Sequence, residues 1–259
     1  MLLDEIISSK QAEVKNLKAQ FSHITLSNLA DAFPPVRDFK AAISRPEKIN
    51  LIAEIKKASP SVGIIREDFD PVSIAKIYQE SGASAVSVLT DGPFFKGLLS
   101  YLKIVKQATT LPILRKDFII DELQIFESRL AGADAILLIV RILDDEKLRK
   151  FLEEAKKIGL ACLVEVHNEA EVERALAAGA EIIGINNRDL DNLKIDLNLS
   201  FKLLAKYPEL KKKVLISESG IKTRSQVNEL QSAGYNAVLI GETLLKSRDI
   251  TAKIKELFS

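Results

Sequence analysis

Residues 131–139 read Ala-Gly-Ala-Asp-Ala-Ile-Leu-Leu-Ile, a turn of small residues followed by an uninterrupted apolar run. The same order, a small residue, a glycine and then an apolar run, recurs around Gly82, Gly179 and Gly234. A glycine at such a place supplies the left-handed backbone that ends a helix, so each copy predicts a helix end followed by a buried strand. Copies spaced about two strand-helix units apart predict a repeated α/β architecture.

Short runs rich in Ile, Val and Leu alternate with amphipathic stretches from residue 51 onward, as in parallel strands joined by crossover helices. An open doubly wound sheet would share this pattern, but no Gly-x-Gly-x-x-Gly element follows the first run. The sequence therefore favours the α/β class with a single (β/α)8 TIM barrel. The eight predicted strands are residues 51–55, 85–89, 112–115, 135–139, 161–165, 182–185, 214–217 and 237–240.

The first 50 residues depart from this alternation. Leu3, Ile6, Val14 and Leu17 share one face of a predicted amphipathic helix, and an irregular or shortly helical segment follows around Phe39. We expect this extra N-terminal helical segment, residues 1–50, to cap one mouth of a barrel formed by residues 51–259. No low-complexity tract or linker separates the two parts, so residues 1–259 are expected to form a single domain.

The composition limits the classes of function. Lys+Arg 37 against Asp+Glu 36 leaves a formal net charge of +1, so no global field favours nucleic acid or an anionic membrane. Cys162 is the only cysteine and lies in an apolar run, which excludes an internal disulfide and fits a reducing compartment. Since a signal-like N-terminus and an apolar run of roughly 20 residues are also lacking, we expect a soluble, cytoplasmic protein.

Charged residues stand at the ends of the first and third predicted strands. Because strand side chains alternate between faces, Glu54 and Lys56 share one face, whereas Arg115 and Lys116 cannot both point inward. Catalytic groups of such barrels project from the carboxyl ends of strands. We predict that Lys116 faces the lumen with a lowered pKa, since apolar walls disfavour its charged form. For Glu54 and Lys56, a structural ion pair that closes the barrel end is the alternative.

The fifth predicted strand ends at Glu165, a candidate base, and is followed by His167. His167 and His23 are the only histidines, and neither has partners at the spacing of metal ligands. We therefore expect no metal site.

Glycines follow the last two predicted strands, at Gly220 and Gly241. The loops after strands seven and eight commonly hold a phosphate group in barrels of this type, because backbone N–H groups can approach the anion there. Arg188, in the loop after strand six, adds a guanidinium suited to phosphate. The sequence thus predicts a phosphorylated small-molecule substrate.

Taken together, these strand ends resemble the indole-3-glycerol-phosphate synthase family of tryptophan biosynthesis. The helical segment ahead of the first strand is similar to that family as well. The resemblance implies a carbon–carbon lyase that closes 1-(2-carboxyphenylamino)-1-deoxyribulose 5-phosphate to indole-3-glycerol phosphate, with loss of carbon dioxide and water and without a metal or organic cofactor. The segments that carry the likeness, in the family's order, are residues 53–61, 89–95, 116–118, 163–167, 184–190, 218–221 and 241–242.

The resemblance also implies roles for single residues. Lys116 would be the general acid at the ketone, and Glu165 would assist the loss of the hydroxyl group and a proton. Lys56, placed by Glu54, would steer the substrate carboxylate or act as the acid of dehydration, and how the two lysines divide these roles stays open. The remaining expected contacts are Asn186, Glu218 and Ser219 with polar groups, Ser59, Arg188, Gly220, Gly241 and the backbone of Glu242 with phosphate, and Phe95, Phe118, Leu137 and Ile139 with the anthranilate ring.

Two other functions fit the same residues. A lysine Schiff-base aldolase would use Lys116 or Lys56 as its nucleophile, and borohydride would then trap the substrate on that lysine. A barrel without catalysis would only bind a phosphorylated ligand or a partner protein. We expect a monomer, and the resemblance leaves association with other enzymes of the tryptophan pathway open.

Overall fold

The structure is a computed structural model that describes residues 2–21, 33–46 and 48–259. Within these ranges, parallel strands close into a barrel in which the first strand pairs with both the second and the last. The (β/α)8 barrel predicted from the sequence is confirmed. Its strands are β1 (Asn50–Ile55), β2 (Ala85–Leu89), β3 (Ile113–Lys116), β4 (Ala135–Ile139), β5 (Ala161–Val166), β6 (Ile182–Asn186), β7 (Val214–Glu218) and β8 (Ala237–Ile240).

Helices connect the strands, and short polar side chains at their N-caps accept hydrogen bonds from the first turn, as at Asp121, Asp144 and Asn168. A short hairpin, Ala58–Ser59 with Gly63–Ile64, follows β1, and single 3-10 turns lie at Val140–Ile142 and Pro208–Lys212. The helices are α1 (Leu2–Phe21), α2 (Phe39–Ile43), α3 (Pro71–Glu80), α4 (Ser100–Ala108), α5 (Glu122–Leu130), α6 (Asp145–Lys157), α7 (Glu169–Ala177), α8 (Asn198–Lys206), α9 (Arg224–Ala233), α10 (Glu242–Leu245) and α11 (Ile250–Phe258).

The repeated glycines lie where helices end and strands begin. Gly82, Gly132, Gly179 and Gly234 have φ angles of 84°, 97°, 81° and 103°, which side chains with a Cβ rarely adopt. They precede β2, β4, β6 and β8, so the helix ends predicted from the repeat are confirmed.

Four strands extend one residue farther toward their carboxyl ends than the apolar runs predicted, and three of them end at a polar residue. β3, β6 and β7 end at Lys116, Asn186 and Glu218. The polar side chains do not stop the strands, because the backbones still pair: Lys116 with Leu89, and Asn186 with Glu218. These three side chains therefore start from strand backbone rather than from loops.

The inner face of the barrel carries a layer of apolar side chains and, nearer to the carboxyl ends of the strands, a layer of charged side chains. Ile52, Leu114, Leu163 and Ile216 are buried in the cluster that fills the lumen. Two residues farther along each strand, on the same face, stand Glu54, Lys116, Glu165 and Glu218. A second cluster, between strands and helices, holds the outward side chains.

The N-terminal segment contacts both ends of the barrel, rather than the one mouth that the sequence led us to expect. At the end where the strands begin, the backbone N–H of Arg37 donates to Asp134 Oδ1 at 2.6 Å, and its guanidinium donates to Leu111 O at 2.7 Å. At the opposite end, Lys10 of α1 inserts its ammonium group beside Asp91 and Asp117. No helix within the described ranges is long and apolar enough to cross a membrane.

Candidate active site

A cavity of about 520 Å³ opens at the carboxyl ends of the barrel strands. Its lining includes the charged layer of the lumen on one side and aromatic and aliphatic side chains on another. Lys56, which directly follows β1, lines it together with all members of the charged layer: Glu54, Lys116, Glu165 and Glu218.

Lys116 lies at the centre of this layer. Its Nζ is 2.8 Å from Glu165 Oε2 and 3.2 Å from Glu218 Oε2, and its side chain is 12% exposed. As predicted from strand alternation, Arg115 faces the other way, where it binds Asp117 and Glu127.

The predicted lowering of the Lys116 pKa is wrong. Burial does lower the pKa, but the charges of Glu165, Glu218 and Glu54 outweigh that effect and raise the pKa above its usual value. The walls nearest to the ammonium group are carboxylates rather than apolar side chains, so Lys116 is held as a cation.

The two carboxylates bound to Lys116 differ in their affinity for a proton. Burial raises the pKa of Glu165, but the charges of Lys116 and His167 overcome it, so the pKa is held well below its usual range. Burial also raises the pKa of Glu218; Lys116 opposes this and Glu165 adds to it, so the pKa stays above its usual value. Glu165 is therefore ionised near neutral pH, while Glu218 is the carboxyl that can hold a proton.

Glu54 and Lys56 form an ion pair, with Lys56 Nζ 2.5 Å from Glu54 Oε1. Both residues also line the cavity, so the structural and the functional interpretations of this pair do not exclude each other. Gly241 is required beside them, because a Cβ there would lie 2.3 Å from Glu54 Oε1.

Asn186 and Ser219 form a small polar group on the cavity wall. The hydroxyl of Ser219 donates to Asn186 Oδ1 at 2.8 Å, and the backbone N–H of Arg188 donates to the same oxygen at 3.1 Å. Both bonds use the amide oxygen, so Asn186 meets the cavity with its NH2 group.

The expected phosphate residues Arg188, Gly220, Gly241 and Glu242 lie together on the cavity lining. Arg188 Nη2 is 3.3 Å from Glu242 Oε2, so the Glu242 side chain takes part in this region although only its backbone was expected to. Ser59 is buried next to the cavity lining, with its Oγ 3.2 Å from Ser61 Oγ.

The cavity lining includes further residues that the sequence did not single out. Ser61 contacts Arg188 Nη1 at 3.4 Å, and it belongs to the same polar segment as Ser59, so that segment was the available signal. Lys222, Lys246 and Lys253 add cations to the lining of the same cavity. Lys222 precedes α9, Lys246 follows α10, and Lys253 lies in α11. No local pattern in the sequence distinguishes them from surface lysines.

The apolar wall contains every residue that was expected to hold an aromatic ring: Phe95, Phe118, Leu137 and Ile139. The rings of Phe95 and Phe118 lie 6.1 Å apart with an interplanar angle of 36°. A planar aromatic group could stack against this wall while its polar groups meet the charged layer.

In the described part of the chain, no three His, Cys, Asp or Glu side chains are grouped so that they could hold a metal ion. His23, one of the two histidines weighed in the sequence, lies outside the described residues.

Comparison with known proteins gives one family. A family model described as indole-3-glycerol phosphate synthase matches residues 3–257. A relative of that description from Acetivibrio thermocellus is 51% identical, with 99% of this chain and 98% of the relative covered. Another from Chloroherpeton thalassium is 49% identical and covers 96% of each chain.

Solved structures with the same fold are more distant in sequence. A crystal structure of 3-hexulose-6-phosphate synthase is 20% identical with a TM-score of 0.61, covering 81% of this chain and 98% of the other. A chain of the tryptophan synthase complex from Pyrococcus furiosus is 16% identical with a TM-score of 0.60 and covers the same shares, 81% and 98%. At these identities the likeness concerns the fold alone.

Proposed function

The chain belongs to the indole-3-glycerol phosphate synthase family, and we propose that it closes 1-(2-carboxyphenylamino)-1-deoxyribulose 5-phosphate to indole-3-glycerol phosphate. The reaction releases carbon dioxide and water. The observation that carries the proposal is a cationic Lys116, bound by two carboxylates of opposite proton affinity, next to an apolar wall of aromatic side chains.

In the first step, the ring carbon that bears the carboxylate attacks the ketone carbon, and Lys116 gives a proton to the ketone oxygen. The new carbon–carbon bond interrupts the aromatic ring, so loss of carbon dioxide restores it. Lys56, within the Glu54 pair, meets the substrate carboxylate before it leaves. Lys116 is suited to this acid role because the surrounding carboxylates keep it protonated until the substrate binds.

In the second step, the hydroxyl formed from the ketone takes a further proton, from the ammonium group of Lys56 or of reprotonated Lys116, and leaves as water, while a proton leaves the neighbouring carbon. Glu165, ionised beside the ammonium group of Lys116, is the carboxylate that can accept this proton. Glu218 lies 3.2 Å from Lys116 Nζ and can hold a proton near neutral pH, so it is placed to restore the proton that Lys116 has given.

The two ends of the cavity orient the substrate. The aromatic ring lies against Phe95, Phe118, Leu137 and Ile139, with Asn186 and Ser219 bonded to polar groups of the sugar chain. The phosphate meets Arg188, Ser59 and the backbone at Gly220, Gly241 and Glu242.

A Schiff-base aldolase is less well supported by the same geometry. A lysine nucleophile must be a neutral amine, whereas three carboxylates keep Lys116 charged. Charge on this residue favours proton donation over covalent attack.

The test is direct. The purified chain is mixed with the carboxyphenylamino substrate, and the rise of indole absorbance or fluorescence is followed. We expect product with the wild-type chain and no borohydride-trapped lysine adduct. Binding of the substrate without product would refute the proposal in favour of a non-catalytic barrel, and a trapped adduct would favour the aldolase.

Three further properties belong to this proposal. The N-terminal segment and the barrel act as one domain, residues 1–259, because α1 and residues 33–43 are bonded to opposite ends of the barrel. The enzyme works as a monomer in the cytoplasm, where the substrate of an amino-acid pathway would be found. It needs no cofactor, since the acid, the base and the phosphate contacts are side chains and backbone of this chain.

A further inference from the structure

His167 is a buried, ionisable side chain to which the proposed mechanism gives no role. It directly follows β5, two residues beyond Glu165, and its side chain is 6% exposed. Its Nδ1 lies 3.0 Å from Glu171 Oε2, in the first turn of α7. The backbone N–H of His167 donates to the same oxygen at 2.8 Å, and Asn168 Nδ2 donates to Glu171 Oε1 at 2.7 Å.

The other ring nitrogen faces the active site. His167 Nε2 lies 3.2 Å from Glu165 Oε1, without the alignment of a good hydrogen bond, and no other hydrogen-bond partner is present for it in the described ranges. Each nitrogen of this imidazole thus faces a carboxylate oxygen. A neutral imidazole has one N–H only, so its other nitrogen would turn a lone pair toward a carboxylate. The two carboxylates therefore favour the imidazolium cation, which carries an N–H at both ring nitrogens.

Glu165 is consequently held between two cations, one at each oxygen. Lys116 binds Oε2 at 2.8 Å, and His167 faces Oε1 at 3.2 Å. We propose that His167, as an imidazolium fixed by Glu171, is a positioning residue that orients Glu165 and keeps it ionised; this rests on the proposed function, in which Glu165 accepts a proton. His167 itself does not touch the substrate in this scheme.

The charges around His167 agree with this role. Burial lowers the pKa of His167, but Glu165 and Glu171 outweigh it and raise the pKa to about 9. The other charged groups that act on this cluster are Asp189, in the loop after β6, and Arg141, after β4, which faces Glu171 and Asp189. Since both nearest groups are carboxylates, the cation is present throughout the neutral range.

The proposal has a defined sign for pH dependence. Loss of the imidazolium removes a positive charge from Glu165, so the pKa of Glu165 rises. A base works only in its deprotonated form, so the acid limb of the kcat profile should move to higher pH. A residue needed only for folding would lower the amount of active protein and leave the profile in place.

Two variants separate the contacts of the ring. His167→Asn keeps a donor near the Nδ1 position, toward Glu171, and loses the one toward Glu165. His167→Gln extends a donor toward Glu165 but carries no charge. We expect kcat to fall about 10-fold or more in His167→Asn, with KM within about threefold of wild type, and to fall less in His167→Gln. Both should show the shifted acid limb.

Glu171→Gln tests the support behind the ring, and Glu173→Gln is its matched control. Glu173 lies in the same helix, but its carboxylate accepts a hydrogen bond from Tyr207 at 2.6 Å instead of facing His167. We expect Glu171→Gln to lower the midpoint at which His167 loses its proton and to reduce kcat, and Glu173→Gln to leave both values unchanged.

The charge of His167 can be read without any turnover. The chain has two histidines, so a ¹⁵N NMR titration gives the signals of two imidazole rings, and His23→Gln identifies those from His167. We expect His167 to keep both ring protons at pH 7.5 and to titrate well above the ordinary midpoint of about 6.5.

The outcomes distinguish this proposal from the proposed function. A titration midpoint of His167 at or below about 6.5 would overturn the imidazolium, whatever the activity. Product formation by His167→Asn with a wild-type kcat and an unmoved acid limb would overturn the positioning role and leave the function intact. Absence of product with the wild-type chain would refute the function itself.

Discussion

A buried lysine in the N-terminal helix provides a stringent test of the fold. Lys10 is 1% exposed, and its Nζ lies 2.9 Å from Asp117 Oδ1 and 3.1 Å from Asp91 Oδ2, with Glu13 Oε2 at 2.7 Å. Asp117 directly follows Lys116, so this cluster supports the strand end that carries the proposed acid. Lys10→Met keeps the length and the apolar stem of the side chain and removes the charge.

The expected loss of stability in Lys10→Met depends on the partners that Asp91 and Asp117 keep when the ammonium group is removed. Asp117 keeps Arg115 at 3.0 Å and the Phe118 backbone N–H at 2.8 Å, whereas Asp91 keeps the Phe94 backbone N–H on Oδ1 at 2.9 Å and loses the ion pair of its Oδ2 with Lys10. Removing one member of a buried pair typically costs about 3–5 kcal/mol. Because Asp117 stays paired, we expect the lower end, about 3 kcal/mol in the free energy of unfolding, or a fall in Tm of roughly 6–12 °C.

Lys18→Met is the matched control in the same helix. Lys18 Nζ lies 2.7 Å from Asp121 Oδ2, but its side chain is 58% exposed, so the loss should stay within about 1 kcal/mol. Urea unfolding followed by circular dichroism compares the variants. Equal losses for Lys10→Met and Lys18→Met would refute the reasoning, because the buried cluster would then contribute no more than a surface ion pair.

The same variant has a pH dependence of known sign. Burial raises the pKa of Asp117, but Arg115 and Lys10 outweigh it and lower the pKa to about 2. A lowered folded-state pKa gives stability that is present above the unfolded value of about 3.9 and is lost as the pH falls toward 2. The gap between wild type and Lys10→Met should therefore narrow below about pH 4, since protonation neutralises the carboxylates that lack Lys10. A gap that is constant down to pH 2.5 would contradict this explanation.

Three further changes test the cavity. Lys116→Met should lower kcat by about 10²–10⁴ with a much smaller change in KM, because it removes a proton donor; equal losses in rate and affinity, from steady-state kinetics, would make Lys116 an anchor only. Arg188→Gln should chiefly raise KM, by about 10-fold or more, and an unchanged KM would remove it from the phosphate region. Gly184→Ala should reduce kcat sharply, since a Cβ there would lie 2.1 Å from Glu218 Oε1, whereas Gly92→Ala, with its nearest contact at 3.8 Å, is the control that should not.

Strand alternation predicted correctly which side chains at the strand ends face the lumen, because alternation is a local property of each strand. The choice of Lys116 over Arg115 needs only the two faces of one strand, and it is confirmed by their partners. The repeat of glycines was equally local, since each one ends its own helix at a positive φ. Both features can be read from a few neighbouring residues.

The pKa of Lys116 was predicted in the wrong direction because its causes are distant in sequence. Glu165 and Glu218 come from β5 and β7, and they meet Lys116 only when the barrel closes. The same limit applies to Lys10, whose partners follow β2 and β3. On a helical wheel a lysine is read as solvated, and nothing local shows that it is buried among carboxylates.

The Glu242 carboxylate has a consequence for the exchange of ligands. It lies between Arg188 Nη2, at 3.3 Å, and Lys246 Nζ, at 2.7 Å, so both of these cations are paired with a carboxylate of this chain. If the phosphate of the proposed substrate binds Arg188, it competes with the Glu242 carboxylate, so the net gain in binding free energy is the difference between the two interactions. On departure of the product, Glu242 would pair with Arg188 again. We therefore expect this ion pair to weaken phosphate binding and to favour release of the product.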